Sequence, residues 1–140
     1  MPVYSYPVVT GLTAAFLGIL HVILTLNVIG LRFKTRIYLG DGGNTDLDHR
    51  VRMHGNLTEN APIFLILLGL VEMTGAHPVI VGSLGPAFVI SRIFQAVGLL
   101  PGMPPGPNPL RFTGTLGSFM SQIILAAVLL LTLSPHLSSW

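Results

Sequence analysis

Four long apolar stretches, each able to reach across a bilayer, constrain this chain more than anything else in it. The first is the plainest. Residues 1 to 31 carry no charged side chain, and Val8 to Leu31 is long enough to cross a hydrocarbon layer of about 30 Å at about 1.5 Å per residue. No basic segment precedes this stretch and the first basic residues follow it, so it reads as a span and not as a cleavable leader. Composition agrees. Of 140 residues 51% are hydrophobic and 9% charged, and the mean hydropathy is +0.74, too few charges to solvate a globule of this size. The expectation is an all-α integral membrane protein, one domain over residues 1–140, with helices at about 8–32, 48–74, 78–100 and 110–134.

The first helix has one less greasy stripe. Thr10, Ala14, Leu17, His21, Thr25, Val28 and Arg32 recur at steps of three and four, which places them on one face that should meet protein and not lipid. A polar loop follows, in which Gly40-Asp-Gly-Gly-Asn supplies turn residues, and Asp46 or Asp48 is expected to cap the second helix. Pro62 lies within that helix and cannot bond the Thr58 carbonyl, which predicts a kink just beyond Glu59. Glu72, near its far end, reads as a solvated boundary residue. Glycines 82, 85 and 98 and Pro86 in the third helix are tolerated in membrane spans and permit close packing. Residues 101–109, rich in proline, read as a stiff connector. Gly114-x-x-x-Ser118 and Gly117-x-x-x-Ser121 in the fourth helix are spacings suited to close helix contact, beside a polar stripe of Arg111, Thr115, Ser118 and Gln122.

All seven basic residues, Arg32, Lys34, Arg36, Arg50, Arg52, Arg92 and Arg111, fall at one end of such a four-helix bundle. The positive-inside rule puts that end in the cytoplasm and both termini outside. The chain lacks the basic patches of a nucleic-acid binder. With no cysteine it has no thiolate nucleophile of its own.

The polar residues gather at the same end. Arg52, Asn56 and Glu59 lie at i, i+4 and i+7, one face of the second helix. Arg32 closes the first helix, Arg92 and Gln95 sit in the third, and Arg111 opens the fourth. Polar groups are costly in hydrocarbon, so this face needs a partner or a ligand. Several guanidinium forks beside one carboxylate suit a ligand that carries carboxylates and an ammonium group. The same residues would serve equally as an interhelical ion pair and hydrogen-bond set that fixes an assembly.

The pattern Arg52-x-x-x-Asn56-x-x-Glu59-x-x-Pro62, at the head of the second of four membrane helices, resembles the MAPEG family of membrane-associated proteins in eicosanoid and glutathione metabolism. The Gly40-Asp-Gly-Gly and Arg52-Met-His-Gly-Asn56 wording resembles its bacterial branch, and the likeness extends over nearly the whole chain. It implies a homotrimer in the inner membrane, with glutathione held as cosubstrate between subunits near the cytoplasmic face and used on lipophilic electrophiles. By the same resemblance Arg32, Arg52, Asn56, Glu59, Arg92 and Gln95 are the glutathione-binding positions, and Arg111 is the arginine that stabilises the thiolate. Gln95 stands where many enzymes of the family have His or Tyr, and Leu99 where many have Tyr.

The family also holds a non-enzymatic lipid-binding member, so a non-catalytic membrane module binding lipid or partner proteins is the alternative reading, favoured by Gln95 and Leu99. A small drug exporter ranks last, because such proteins usually place a carboxylate in the first helix and this chain has none there. His21 reads as a packed, hydrogen-bonded residue and His54 as interfacial. His49 and His54, five apart and without a His-Glu-x-x-His motif, do not read as a metal site.

Overall fold

A computed structural model describes residues 6–100 and 108–137. They form four helices: α1 (Val8–Thr35), α2 (Thr45–Met73), α3 (Pro78–Val97) and α4 (Pro109–Leu137). Each is long and apolar enough to cross a membrane. The connector expected at residues 101–109 lies, up to residue 107, outside the described residues.

Local chemistry sets the ends. α1 runs on to Thr35 and stops where Arg36 turns left-handed (φ 58°). α2 begins at Thr45, three residues before the expected start, because its cap is Asn44 and not Asp46 or Asp48. The Asn44 side chain accepts from Leu47 N at 3.0 Å. The two aspartates occupy the first turn instead, where their charge favours the exposed N–H groups. Gly40, Gly42 and Gly43 take positive φ in the preceding loop, as its composition demanded. α2 is one continuous helix through Pro62, and α3 through Pro86. α3 stops at Val97, with Gly98 as its C-cap.

The N-terminus of α1 has no cap of its own. Pro7 offers no side-chain acceptor, and the first turn holds no acidic residue. The missing acceptor comes from α2. Glu72 accepts from Val9 N at 2.9 Å, Thr10 N at 2.8 Å and Thr10 Oγ1 at 2.7 Å. Glu72 is therefore a half-buried capping carboxylate and not the solvated boundary residue expected, because a helix N-terminus attracts both an acceptor and a negative charge.

α2 and α3 form the middle of the bundle, each packing on all three other helices, while α1 and α4 do not meet among the described residues. The core follows from this arrangement. Phe64 of α2 and Phe88 of α3 are fully buried and stack with ring centroids 3.8 Å apart. Leu57, Leu68, Val71, Val81 and Leu125 close around them. The stripe expected on α1 faces inward: all seven of its residues are buried or half-buried, whereas Leu12, Phe16, Ile19, Val22 and Ile23 are exposed. Exposed leucines such as Leu130 and Leu131 belong to a surface whose solvent is lipid.

Close approach is built from small residues. A side-chain carbon added at Gly85 would sit 2.7 Å from Thr13 Oγ1, and one at Gly98 would sit 2.6 Å from Arg111 N. Gly114 and Gly117 lie against Ser91 and Gln95 of α3 in the same way, and Ser118 and Ser121 are buried beside them. These are the small-residue spacings read in α4, and they place its first turns directly on α3.

Candidate functional site

The polar face of α2 starts with Arg52. Its Nε donates to Asp48 Oδ2 at 2.9 Å, one turn earlier. The side chain is 58% exposed, so this pair stabilises little, and neither terminal nitrogen of the fork bonds another described residue. Asn56 Nδ2 donates to Arg52 O at 3.0 Å. Glu59 is exposed, and its carboxylate accepts no hydrogen bond from another described residue. A charged group left uncovered on a membrane helix is costly unless it meets water, another chain or a ligand.

The ladder continues through Asn60, a residue that sequence reasoning passed over. Its Nδ2 donates to Asn56 O at 2.9 Å, and its Oδ1 accepts from Gln122 Nε2 of α4 at 3.2 Å. The available signal was its position four residues after Asn56, on the same helix face. Gln122 thus joins α4 to the polar strip of α2.

Arg92 and Gln95 are placed differently. Both are buried, in the seam where α3 meets α4. The Arg92 guanidinium donates to Asn56 O at 3.4 Å, to Gly114 O at 3.2 Å and, through a short bond, to Ser118 Oγ. Its Cζ lies 5.3 Å from the centroid of the Phe88 ring. Every one of these partners is neutral, and Nε has none. A buried cation without a counter-ion contributes poorly to stability, and apolar groups of similar volume often replace such charges without loss. The two main acceptors are also served otherwise, Gly114 O by Ser118 Oγ at 2.8 Å and Asn56 O by Asn60 Nδ2. Arg92→Met is accordingly expected to unfold at the native temperature or above, within about 1 kcal/mol or better. A loss of 3 kcal/mol or more (roughly the cost of breaking a buried pair), read by denaturant titration in detergent, would make Arg92 a structural strut.

Arg32 turns back onto the loop after α1, donating to Ile37 O at 3.1 Å and Gly40 O at 2.9 Å through one nitrogen. Arg50, which the motif did not single out, bonds Asn27 of α1. Arg111 is exposed, and its side chain bonds no other described residue. Its backbone is held, because Gly98 lets α3 touch it directly. Of the seven candidate residues, the structure brings Arg52, Asn56 and Arg92 into one bonded set. It leaves Glu59 and Arg111 uncovered.

A second pairing escaped the sequence. His54 Nε2 and His21 Nε2 lie 3.2 Å apart, joining α2 to α1. His21 is hydrogen-bonded as expected, but its partner stands 33 residues away, where no spacing rule reaches.

Comparison with known proteins gives this arrangement a context. The model of the MAPEG family matches residues 10–131, and therefore all but the ends of the four-helix unit. The chain belongs to the MAPEG family. Two curated proteins from Escherichia coli strains K12 and O6:H1, each named inner membrane protein YecN, are 32% identical to it over 90 residues. That alignment covers 64% of this chain and 69% of each relative. This MAPEG protein is thus an integral membrane protein whose four spans contact the bilayer, and its polar face on α2 lies within the matched residues.

Proposed function

We propose that the chain is a glutathione-dependent transferase or peroxidase acting on lipophilic electrophiles in an inner membrane. It works as a homotrimer with its basic end in the cytoplasm and its termini outside. The observation that carries this reading is that Arg52, with both terminal nitrogens free, and the unpaired Glu59 and Arg111 are all exposed on helices that span a membrane. A tripeptide with two carboxylates and one ammonium group complements it: the free fork of Arg52 suits a carboxylate bidentately, and Glu59 suits the ammonium. A neighbouring subunit closes the site, since one chain leaves these groups open. Arg32 reaches the tripeptide from the end of α1. Asn56, held by Arg92, fixes the strip between Arg52 and Glu59, and Gln95 backs it from the seam. Arg111 then stands at the thiol, and a cation there favours the thiolate, which is the nucleophile. The electrophile enters laterally from lipid.

The decisive test is thermal stability of the detergent-purified protein against glutathione. Ligand at 100 times its Kd should stabilise the native protein by about 2.7 kcal/mol, and Glu59→Gln and Arg52→Ala should abolish the response. Absence of any shift at millimolar glutathione in the native protein sinks the reading.

One observation favours a second reading. Gln95 and Leu99, at the positions where many family enzymes carry ring donors, are both buried inside the subunit. A non-catalytic module on the same fold, binding lipid or a partner protein, needs no donor there. Glutathione binding without turnover of any electrophile would select it.

A further inference from the structure

Away from the arginine-rich face, α1 and α2 form an open groove of about 340 Å³. Ala14, Gly18 and His21 line one side, and Thr58, Pro62 and Leu65 the other. This size is at the small end of the range for small-molecule sites. It extends over about two helical turns, or about 11 Å, along both helices. Because α1 and α2 are antiparallel, its two ends differ. Ala14 and Leu65 make one end wholly apolar. His21 and Thr58 make the other polar, and there Pro62 has no N–H to offer the Thr58 carbonyl.

The histidine pair decides what that polar end can recognise. When two neutral imidazoles share one N–H···N bond, the donor ring keeps an acceptor at its other nitrogen and the acceptor ring keeps a donor at its own. His21 and His54 meet through their Nε2 atoms, so His21 Nδ1 is a donor or an acceptor according to which ring gives the proton. Among the described residues it has no partner. His21 lines the groove, and a ring nitrogen left without a partner beside hydrocarbon costs free energy that a ligand group can recover. A hydroxyl can both donate and accept, and it matches either state.

The lining selects an uncharged head. No arginine or lysine borders the groove, so it offers a phosphate or carboxylate no cation. A hydroxyl can sit at His21 with its chain running toward Ala14 and Leu65.

We propose that the α1–α2 groove binds a single-chain, uncharged lipophile whose hydroxyl group hydrogen-bonds the His21 ring. The site is independent of the glutathione reading, since none of the residues assigned to glutathione lines it. The small residues are the means of access: a side-chain carbon added at Gly18 meets nothing within 4 Å, so a large residue there fills the groove without disturbing the backbone.

The test uses 1-dodecanol carrying a diazirine, photolysed with the full-length protein in nanodiscs. Unlabelled 1-dodecanol should displace the probe from α1 and α2 peptides about fivefold better than n-dodecane at equal mole fraction in lipid, the ratio one neutral hydrogen bond supplies. His21→Phe should erase that preference, and Gly18→Phe should remove groove labelling at least about fivefold with thermal stability retained. Equal displacement by dodecanol and dodecane in the native protein overturns the proposal, as does labelling confined to other helices. Groove peptides that cross-link to a second copy of the chain and never to the probe would show a subunit interface there, and would likewise overturn it. Should His21→Phe fail to fold, the His21 ¹⁵N ring resonances of the native protein decide. They must shift with dodecanol and remain still with dodecane.

Discussion

Arg111→Ala is expected to lower thiol-dependent turnover of a membrane-dissolved electrophile by about 100-fold, the usual cost of deleting one donor aimed at a reacting anion. Glutathione should stabilise the variant as it does the native protein. Two features underlie this separation. The Arg111 side chain is exposed and bonds nothing else among the described residues, so its loss leaves no buried group orphaned. Its backbone position is set by the contact with Gly98, which the substitution does not touch. A thiolate is the attacking species in conjugation and in peroxide reduction alike, and a nearby guanidinium raises the fraction of thiol in that form. The measurement is steady-state turnover beside a thermal shift with glutathione on the same preparation. Unchanged turnover removes Arg111 from the chemistry. Loss of the thermal shift along with turnover would make it a binding residue.

Gly114→Leu is expected to destabilise the bundle by about 3 kcal/mol, the upper end of what overpacking a close contact costs. A side-chain carbon at this position would lie 2.5 Å from Ser91 O and 2.6 Å from Gln95 N. Both are backbone atoms of α3, which cannot swing aside as a flexible side chain would. The carbonyl of Gly114 also accepts from Arg92 Nη2, one of the hydrogen bonds between α3 and α4 that separating the helices breaks. Gly30→Leu is the control: no heavy atom lies within 4 Å of its added carbon, and its effect should stay within about 0.5 kcal/mol. Equal melting temperatures for the two variants would contradict the packing described for the α3–α4 seam.

The sequence by itself determined whatever repeats along a single helix. Residue spacing of three and four placed Thr10 to Arg32 on the inner face of α1, aligned Arg52, Asn56 and Glu59 on α2, and marked Gly114, Ser118, Gly117 and Ser121 as the contact side of α4. Those relations are fixed by about 3.6 residues per turn, whatever the helices pack against. Only the tertiary structure decided which of these groups find partners. Glu72 caps a helix that begins more than 60 residues earlier, His54 finds His21, and Arg92 reaches Asn56, Gly114 and Ser118 on two other helices. The axial register of one helix against the next sets each of these pairings, and no local pattern encodes it. The same register separates Arg92 and Gln95, enclosed in the seam, from Glu59 and Arg111, left uncovered, although all four stand at the same end of the chain's spans.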